Sequence, residues 1–111
     1  MIEKTVYDYL VAKGLSVYME DPAGAAAMPY YVVEKTGGGE TEHVGRALVV
    51  IQSFGESRYK AAAANESMKA AMAGIITLDG VTACSLNSDY NYTDTARKRY
   101  RYQAVFEIIH Y

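Results

Sequence analysis

The sequence predicts an α+β fold: an antiparallel-rich sheet of about four to five strands with two helices on one face, ordered α-β-β-β-α-β-β. Three observations carry that prediction. From Lys98 to Tyr111 the chain alternates with period two, setting Tyr100, Tyr102, Ala104, Phe106 and Ile108 on one face and Arg99, Arg101, Gln103 and Glu107 on the other. From Thr82 to Tyr92 the even positions Thr82, Cys84, Leu86, Ser88, Tyr90 and Tyr92 suit shelter, and Ser85, Asn87, Asp89 and Asn91 suit water. These two segments read as a hairpin. Residues 2 to 13 and 57 to 73 carry apolar side chains at helical spacing instead.

A C-terminal stretch so rich in aromatic and β-branched residues would fray or aggregate if it lay free, which predicts an interior strand. A one-residue slip would turn every side chain to the opposite face. Its register with the preceding strand is therefore expected to match even positions with even, for example Tyr92 with Tyr100 and Leu86 with Phe106.

The remaining elements follow in chain order. Ile2, Val6, Tyr9 and Leu10 form one apolar stripe, with Glu3 in the first turn and Gly14 as the stop, so residues 2 to 13 make a short amphipathic helix. Leu15 to Glu20 is a brief strand, and Asp21-Pro22 opens an alanine- and glycine-rich turn. Pro29 marks the approach to a strand from Tyr30 to Lys35. Gly37, Gly38 and Gly39 then read as a flexible hairpin tip leading to an apolar strand from Val44 to Gln52. Ser53 to Glu56 turns the chain into the longest helix, whose Ala61, Ala64, Met68, Ala71 and Met72 give a small apolar face able to lie close against a sheet. Gly74 and then Asp79-Gly80 lead into the closing hairpin.

With 111 residues the chain is one domain, residues 1 to 111. Area scaling gives roughly 6,000 Å² exposed when folded, so about two-thirds of the surface is buried without a disulfide or metal staple. The single Cys84 reads as a small core hydrophobe. A net charge of -2 is too small to imply a polyanion partner. No secretion signal or membrane span is expected, since no apolar run approaches the roughly 20 residues a bilayer needs. Tyrosine is the unusual component: 11 residues, beside two Phe and no Trp. Its apolar body and polar tip suit surfaces that are wet in one state and dry in another, as at subunit contacts.

No catalytic residue and no metal ligand is predicted. His43 and His110 fall in different strands, without a Cys, His or carboxylate at ligand spacing, and the carboxylates are scattered. The three glycines do not make a phosphate loop, because a strand follows them and the neighbouring charges are acidic. The run Arg97, Lys98, Arg99, Tyr100, Arg101, Tyr102 admits a second reading, since basic residues interleaved with tyrosines on a strand occur on RNA-binding sheets. That reading requires both tyrosines to stand in solvent. If they face the helices, the arginines line the opposite, polar face. A small ligand-binding domain would instead require a concave pocket with convergent titratable groups.

Three stretches, taken in order, resemble the tail terminator (tail completion, minor tail) proteins of long-tailed bacteriophages and prophages. They are Pro29 to Val33; Leu48 to Ser57 running into the alanine-rich helix; and Tyr90 to Thr95 followed by Tyr100 to Phe106. The resemblance implies a non-enzymatic virion protein without cofactors, assembled in the host cytoplasm and located in the virion tail. It implies a hexameric ring of identical subunits that caps the tail tube and joins it to the head connector. Its partners would be itself, the major tail tube protein and the head-side connector protein, with no membrane and with DNA as cargo passing through. A head-tail joining (neck) protein or another minor structural protein of the virion is the neighbouring alternative. Interface positions expected on this basis are Tyr30, Tyr31, Gly37, Gly38, Gly39, Tyr90, Arg97, Arg99 and Arg101.

Overall fold

The computed structural model describes every residue except Gly24, which falls in the predicted turn after Asp21 and so lies outside the described residues. The elements are α1 (Ile2–Ala12), β1 (Val17–Tyr18), β2 (Tyr30–Thr41), β3 (Val44–Gly55), α2 (Arg58–Met72), a 3-10 turn (Ile75–Thr77), β4 (Val81–Asn91) and β5 (Tyr100–His110). The fold is α+β, with one five-stranded sheet in the order β1-β2-β3-β5-β4. The sheet is mixed: β1 runs parallel to β2, and every other pairing is antiparallel. Total exposed area is 6381 Å², close to the roughly 6,000 Å² that area scaling gives for this mass.

Both helices bury their stripes on one face of the sheet. Ile2, Val6, Tyr9 and Leu10 of α1 and Ala64, Met68 and Met72 of α2 share a single cluster with Val33, Val49, Ile51, Ala104, Phe106 and Ile108. Alanines at the α2 contact let that helix sit close to the strands, as small side chains permit. The two helices are tied where the Tyr9 hydroxyl donates to the Ala71 carbonyl at 2.7 Å. Ser57 starts α2 as its N-cap, its hydroxyl accepting from the Lys60 N–H at 3.1 Å. As the alternation predicts, β5 lies inside the sheet, between β3 and β4.

Three expectations are corrected. The glycines are not the hairpin tip: Gly37, Gly38 and Gly39 lie within β2, opposite Leu48, Ala47 and Arg46, past an irregularity at Thr36. The reversal is made by Glu42 and His43, both at positive φ (51° and 68°), the geometry of a tight two-residue hairpin turn. The apolar strand runs on to Gly55 rather than ending at Gln52, so Ser53 and Phe54 are strand residues buried on opposite faces. The third correction concerns the closing hairpin. Leu86 does pair with Phe106, but an extra residue at Asn87 shifts the register, so that Tyr90 lies opposite Gln103 and Asn91 opposite Tyr102. Tyr92 consequently meets Arg101 through its N–H (2.9 Å to the carbonyl) and not Tyr100.

A β-bulge of this kind turns a strand over. Before it, Cys84 and Leu86 line a notch with Met72 and Phe106 beneath α2. After it, the odd residue Asp89 reaches α2, accepting from Lys69 at 2.6 Å and from Asn65 at 3.0 Å. Tyr90 and Tyr92 are thereby turned to the face that carries no helix. Cys84 is half-buried rather than fully enclosed, and burial pushes its thiol pKa up.

Ser53 is wholly buried between the sheet and α2, and its hydroxyl has no hydrogen-bond partner. An unpaired buried hydroxyl costs roughly 1–3 kcal/mol of desolvation. Ser53→Ala is accordingly expected to raise the urea midpoint, by an amount equivalent to about 1 kcal/mol. A lower midpoint would show that this hydroxyl is bonded in solution.

Candidate interaction surface

The helix-free face of the sheet divides into two regions at opposite ends of a molecule 45 Å long. One is an aromatic and cationic corner where β3 ends and β4 turns into β5. The other is the arm formed by the distal halves of β2 and β3.

The corner is built on Phe54. Its ring is fully buried and stacks on Tyr30, with centroids 4.6 Å apart and planes 14° apart; Tyr18 meets Tyr30 edge-on at 5.8 Å. Ala26 and Met28 from the preceding loop cover this second, smaller core. Alternation on β5 places Arg99 and Arg101 on the same side, their guanidinium carbons 5.0 and 5.9 Å from the Phe54 centroid. Cations over a ring face gain from its quadrupole. Arg101 also lies 4.6 Å from the Tyr92 centroid and donates to the Tyr92 carbonyl at 2.7 Å. Next to it the Tyr90 hydroxyl accepts from Gln103, which in turn accepts from Gln52 at 2.9 Å.

Arg99 is a fastener. Its two terminal nitrogens bind the two Asp21 oxygens at 2.7 and 3.0 Å, and one of them also donates to the Tyr30 hydroxyl, clamping the loop before β2 onto β5. The Arg99 hydrogen bond holds the Asp21 carboxyl at about 2, below its ordinary 3.8. Burial, with the Asp21 hydrogen bond second, pushes the Tyr30 hydroxyl up. Because the folded value of Asp21 is depressed, its contribution is complete above the ordinary value and drains away as pH falls through about 2. Both side chains are partly exposed, so screening leaves a contribution on the order of 1 kcal/mol. Asp21→Asn is expected to lower the urea midpoint at neutral pH by that amount. The gap to the wild type should close as pH approaches the folded value, and a constant gap would show that charge is not the cause.

Beyond Arg99 the hairpin turn is tight. Asp94 and Arg99 exchange backbone bonds of 3.0 Å in both directions, and Arg97 N–H donates to the Asp94 side chain at 3.3 Å. This projects Arg97 and Lys98 outward. Arg97 has only a loose ion pair, 3.9 Å to Asp94 with its own side chain 79% exposed, and among the described residues Lys98 has none.

The arm is bare. On β2 every residue from Glu34 to Thr41 is exposed or half-exposed, and past the short β1 the outer edge of β2 has no strand partner. Gly39 lacks a side chain where another would fill the surface, and beside it lies a shallow groove of about 660 Å³ lined by Leu48, Val44 and Ile109 and flanked by Glu40 and Glu107.

The sequence-based site residues therefore separate. Tyr30 and Tyr31 are buried, Tyr31 donating to the Ala64 carbonyl at 3.2 Å, so neither offers a surface to a partner. Strand alternation on a sheet packed on both faces at this end buries both, Tyr30 in the second core and Tyr31 in the first. Gly37, Gly38 and Gly39 lie on the arm. Tyr90, Arg97 and Arg101 lie at the corner, with Arg99 behind them. Sequence reading passed over Phe54 and Asp21, which organise the corner; no local pattern signals a contact between residues so far apart in the chain.

Tyr100 and Tyr102, half-buried, lie on the helix side of β5 with Ala104 and Phe106, and the arginines take the other face. A second concavity, of about 380 Å³, lies between Met28-Pro29 and α2. Its charged residues Glu56 and Lys60 pair with each other at 3.5 Å on the exposed rim. Among the described residues no cluster of three or more His, Cys, Asp or Glu could hold a metal, and no helix is long and apolar enough to cross a membrane.

What fold and surface define is a class: a small two-layer α+β protein with one sheet face left to an aromatic and cationic corner at one end and a glycine-lined, acidic β2–β3 arm at the other. Searches of protein-family models and of curated proteins give no match to this chain.

Proposed function

We propose that this protein is a tail terminator (tail completion) subunit of a long-tailed phage or prophage, forming a hexameric ring that caps the tail tube and meets the head connector. The observation that carries the reading is the pair of dissimilar surfaces at opposite ends of one small domain. A ring needs two different, complementary patches on each subunit, because heterologous contacts close a cycle where identical ones make a dimer. The resemblance of the Leu48–Ser57 and Tyr100–Phe106 stretches to that family supplies the identity of the ring. Its role is structural, with no reaction and no cofactor.

Two features weigh against the rival readings. Tyr100 and Tyr102 share the helix-side face of β5 with Ala104 and Phe106 and are only half-exposed, which speaks against a stacking platform fully presented to solvent on the closing strand. The 380 Å³ concavity brings together one mutually paired Glu and Lys, and an open one of about 610 Å³ beside α2 gathers Glu66, Lys69 and Asp89 already paired with one another at 2.9 and 2.6 Å, so neither offers free convergent groups.

The test is assembly. Sedimentation across a range of protein concentrations, alone and with purified tail tubes lacking their terminator, should show species larger than the monomer, and micrographs should show a cap on one tube end. A strict monomer in both settings overturns the proposal. Tail length separates the neighbouring alternative: loss of a terminator gives overlong or unjoined tails, whereas loss of a neck protein leaves tails of normal length detached from heads.

A further inference from the structure

The two ends of the helix-free face differ in sign as well as shape. At the arm, Glu40 and Glu42 are exposed and, among the described residues, make no ion pair; Glu107 flanks the same groove, against one wall cation, Arg46. At the corner, Arg99 is neutralised by Asp21, but Arg97, Lys98 and Arg101 remain, with Asp94 as the nearby carboxylate. Tyr90 and Tyr92 stand beside them, 42% and 44% exposed and packed edge-to-face at 6.0 Å, so the pair is braced before any partner arrives. The arm groove has the opposite character: an apolar floor, bare glycine backbone and carboxylates at its rim. Within one chain the two cannot meet, being at opposite ends of a 45 Å molecule.

We propose that the arm of one copy docks on the β4–β5 corner of a second copy, its glycine groove receiving Tyr90 and Tyr92 while Glu40 and Glu42 face Arg97 and Lys98. This rests on the ring reading and names the contact that would build the ring. Braced aromatics entering a groove supply the buried area, and the opposed charges set orientation and exclude arm-to-arm or corner-to-corner pairing. The absent side chain at Gly39 then has a purpose that a plain strand would not give it. A Cβ added at Gly39 meets nothing within 4 Å in the monomer, so that position is free to carry a side chain unless something else occupies the space.

That freedom makes the test clean. Gly39→Leu is expected to leave the monomer's melting temperature unchanged or higher, since a strand glycine costs backbone entropy, yet to weaken self-association by about tenfold or more. The double variants Glu40→Lys/Glu42→Lys and Arg97→Glu/Lys98→Glu should each weaken association similarly, and one chain carrying all four changes should regain it. All are read by sedimentation, alone and with purified tail tubes, with circular dichroism to establish that each variant is folded. Wild-type assembly that survives both charge reversals, or a fourfold variant that stays dissociated, overturns this contact while leaving the ring reading intact. A wild type that never associates, with or without tubes, removes both.

Discussion

Phe54→Ala is expected to lower the unfolding free energy by about 3–5 kcal/mol, the range for deleting a buried aromatic ring. For a domain of this size that corresponds to a fall in melting temperature of roughly 15 °C or more. Phe54 is fully buried in a cluster with few members, Tyr30 and Val32 with Ala26 and Met28 packed against them, so little is available to collapse into the space. Two guanidinium groups also lie against this ring, and Arg99 is the group that fastens the loop before β2. Thermal melts followed by circular dichroism check the magnitude. Phe54→Leu, which keeps most of the volume, should cost less than about 1.5 kcal/mol. Equal losses in the two variants would show that stacking geometry, rather than filled volume, matters at this site.

Gly55→Ala is expected to be the second most damaging change. A Cβ at Gly55 would lie 2.4 Å from the Ala61 nitrogen, 2.7 Å from the Lys60 carbonyl carbon and 2.9 Å from the Ala61 Cα. These are backbone atoms of the first turns of α2, which give way only if the helix shifts. Overpacking of this kind costs typically about 1–3 kcal/mol and occasionally more, and the absence of any flexible side chain among the three neighbours places this case at about 3 kcal/mol. Hydrogen exchange is the informative measurement, because the loss should concentrate in the α2 amides while β2 and β3 keep their protection relative to global opening. An unchanged melting temperature would mean that α2 lies further from the strand end than the structure places it.

These two neighbours explain why the junction from Gln52 to Ser57 reads so distinctively in the sequence. Within six residues it supplies an amide to the helix-free face, a hydroxyl to the helix side, a ring to the second core, a glycine for helix approach and a serine to cap α2. A turn was the natural reading of such a polar, glycine-bearing stretch. The structure instead keeps residues 52 to 55 in the strand, because β5 pairs with them as far as Gly55 opposite Tyr100.

Local periodicity alone determined a good deal of this protein. The stripe Ile2, Val6, Tyr9, Leu10, the small face of the second helix and the alternation of residues 104 to 108 are each set by covalent geometry, with its periods of 3.6 and 2, and each appears in the structure as read, while Tyr100 and Tyr102 at the start of that strand are only half-buried. From them followed the two helices on one side and the interior position of the last strand. The tertiary structure alone decided the rest. Whether Tyr90 and Tyr92 faced helices or open surface depended on one extra residue at Asn87, which period-two counting passes over and which only pairing with β5 reveals. Whether three glycines formed a tip or a groove depended on where the chain reversed, and a two-residue turn at Glu42 and His43 fixed that. The clamp from Asp21 to Arg99 joins residues 78 positions apart, and a contact of that separation leaves no trace in any local window. The physical reason is the same in each case: side-chain direction along a segment is a property of the segment, whereas register, bulges and long-range ion pairs are properties of the partner it meets.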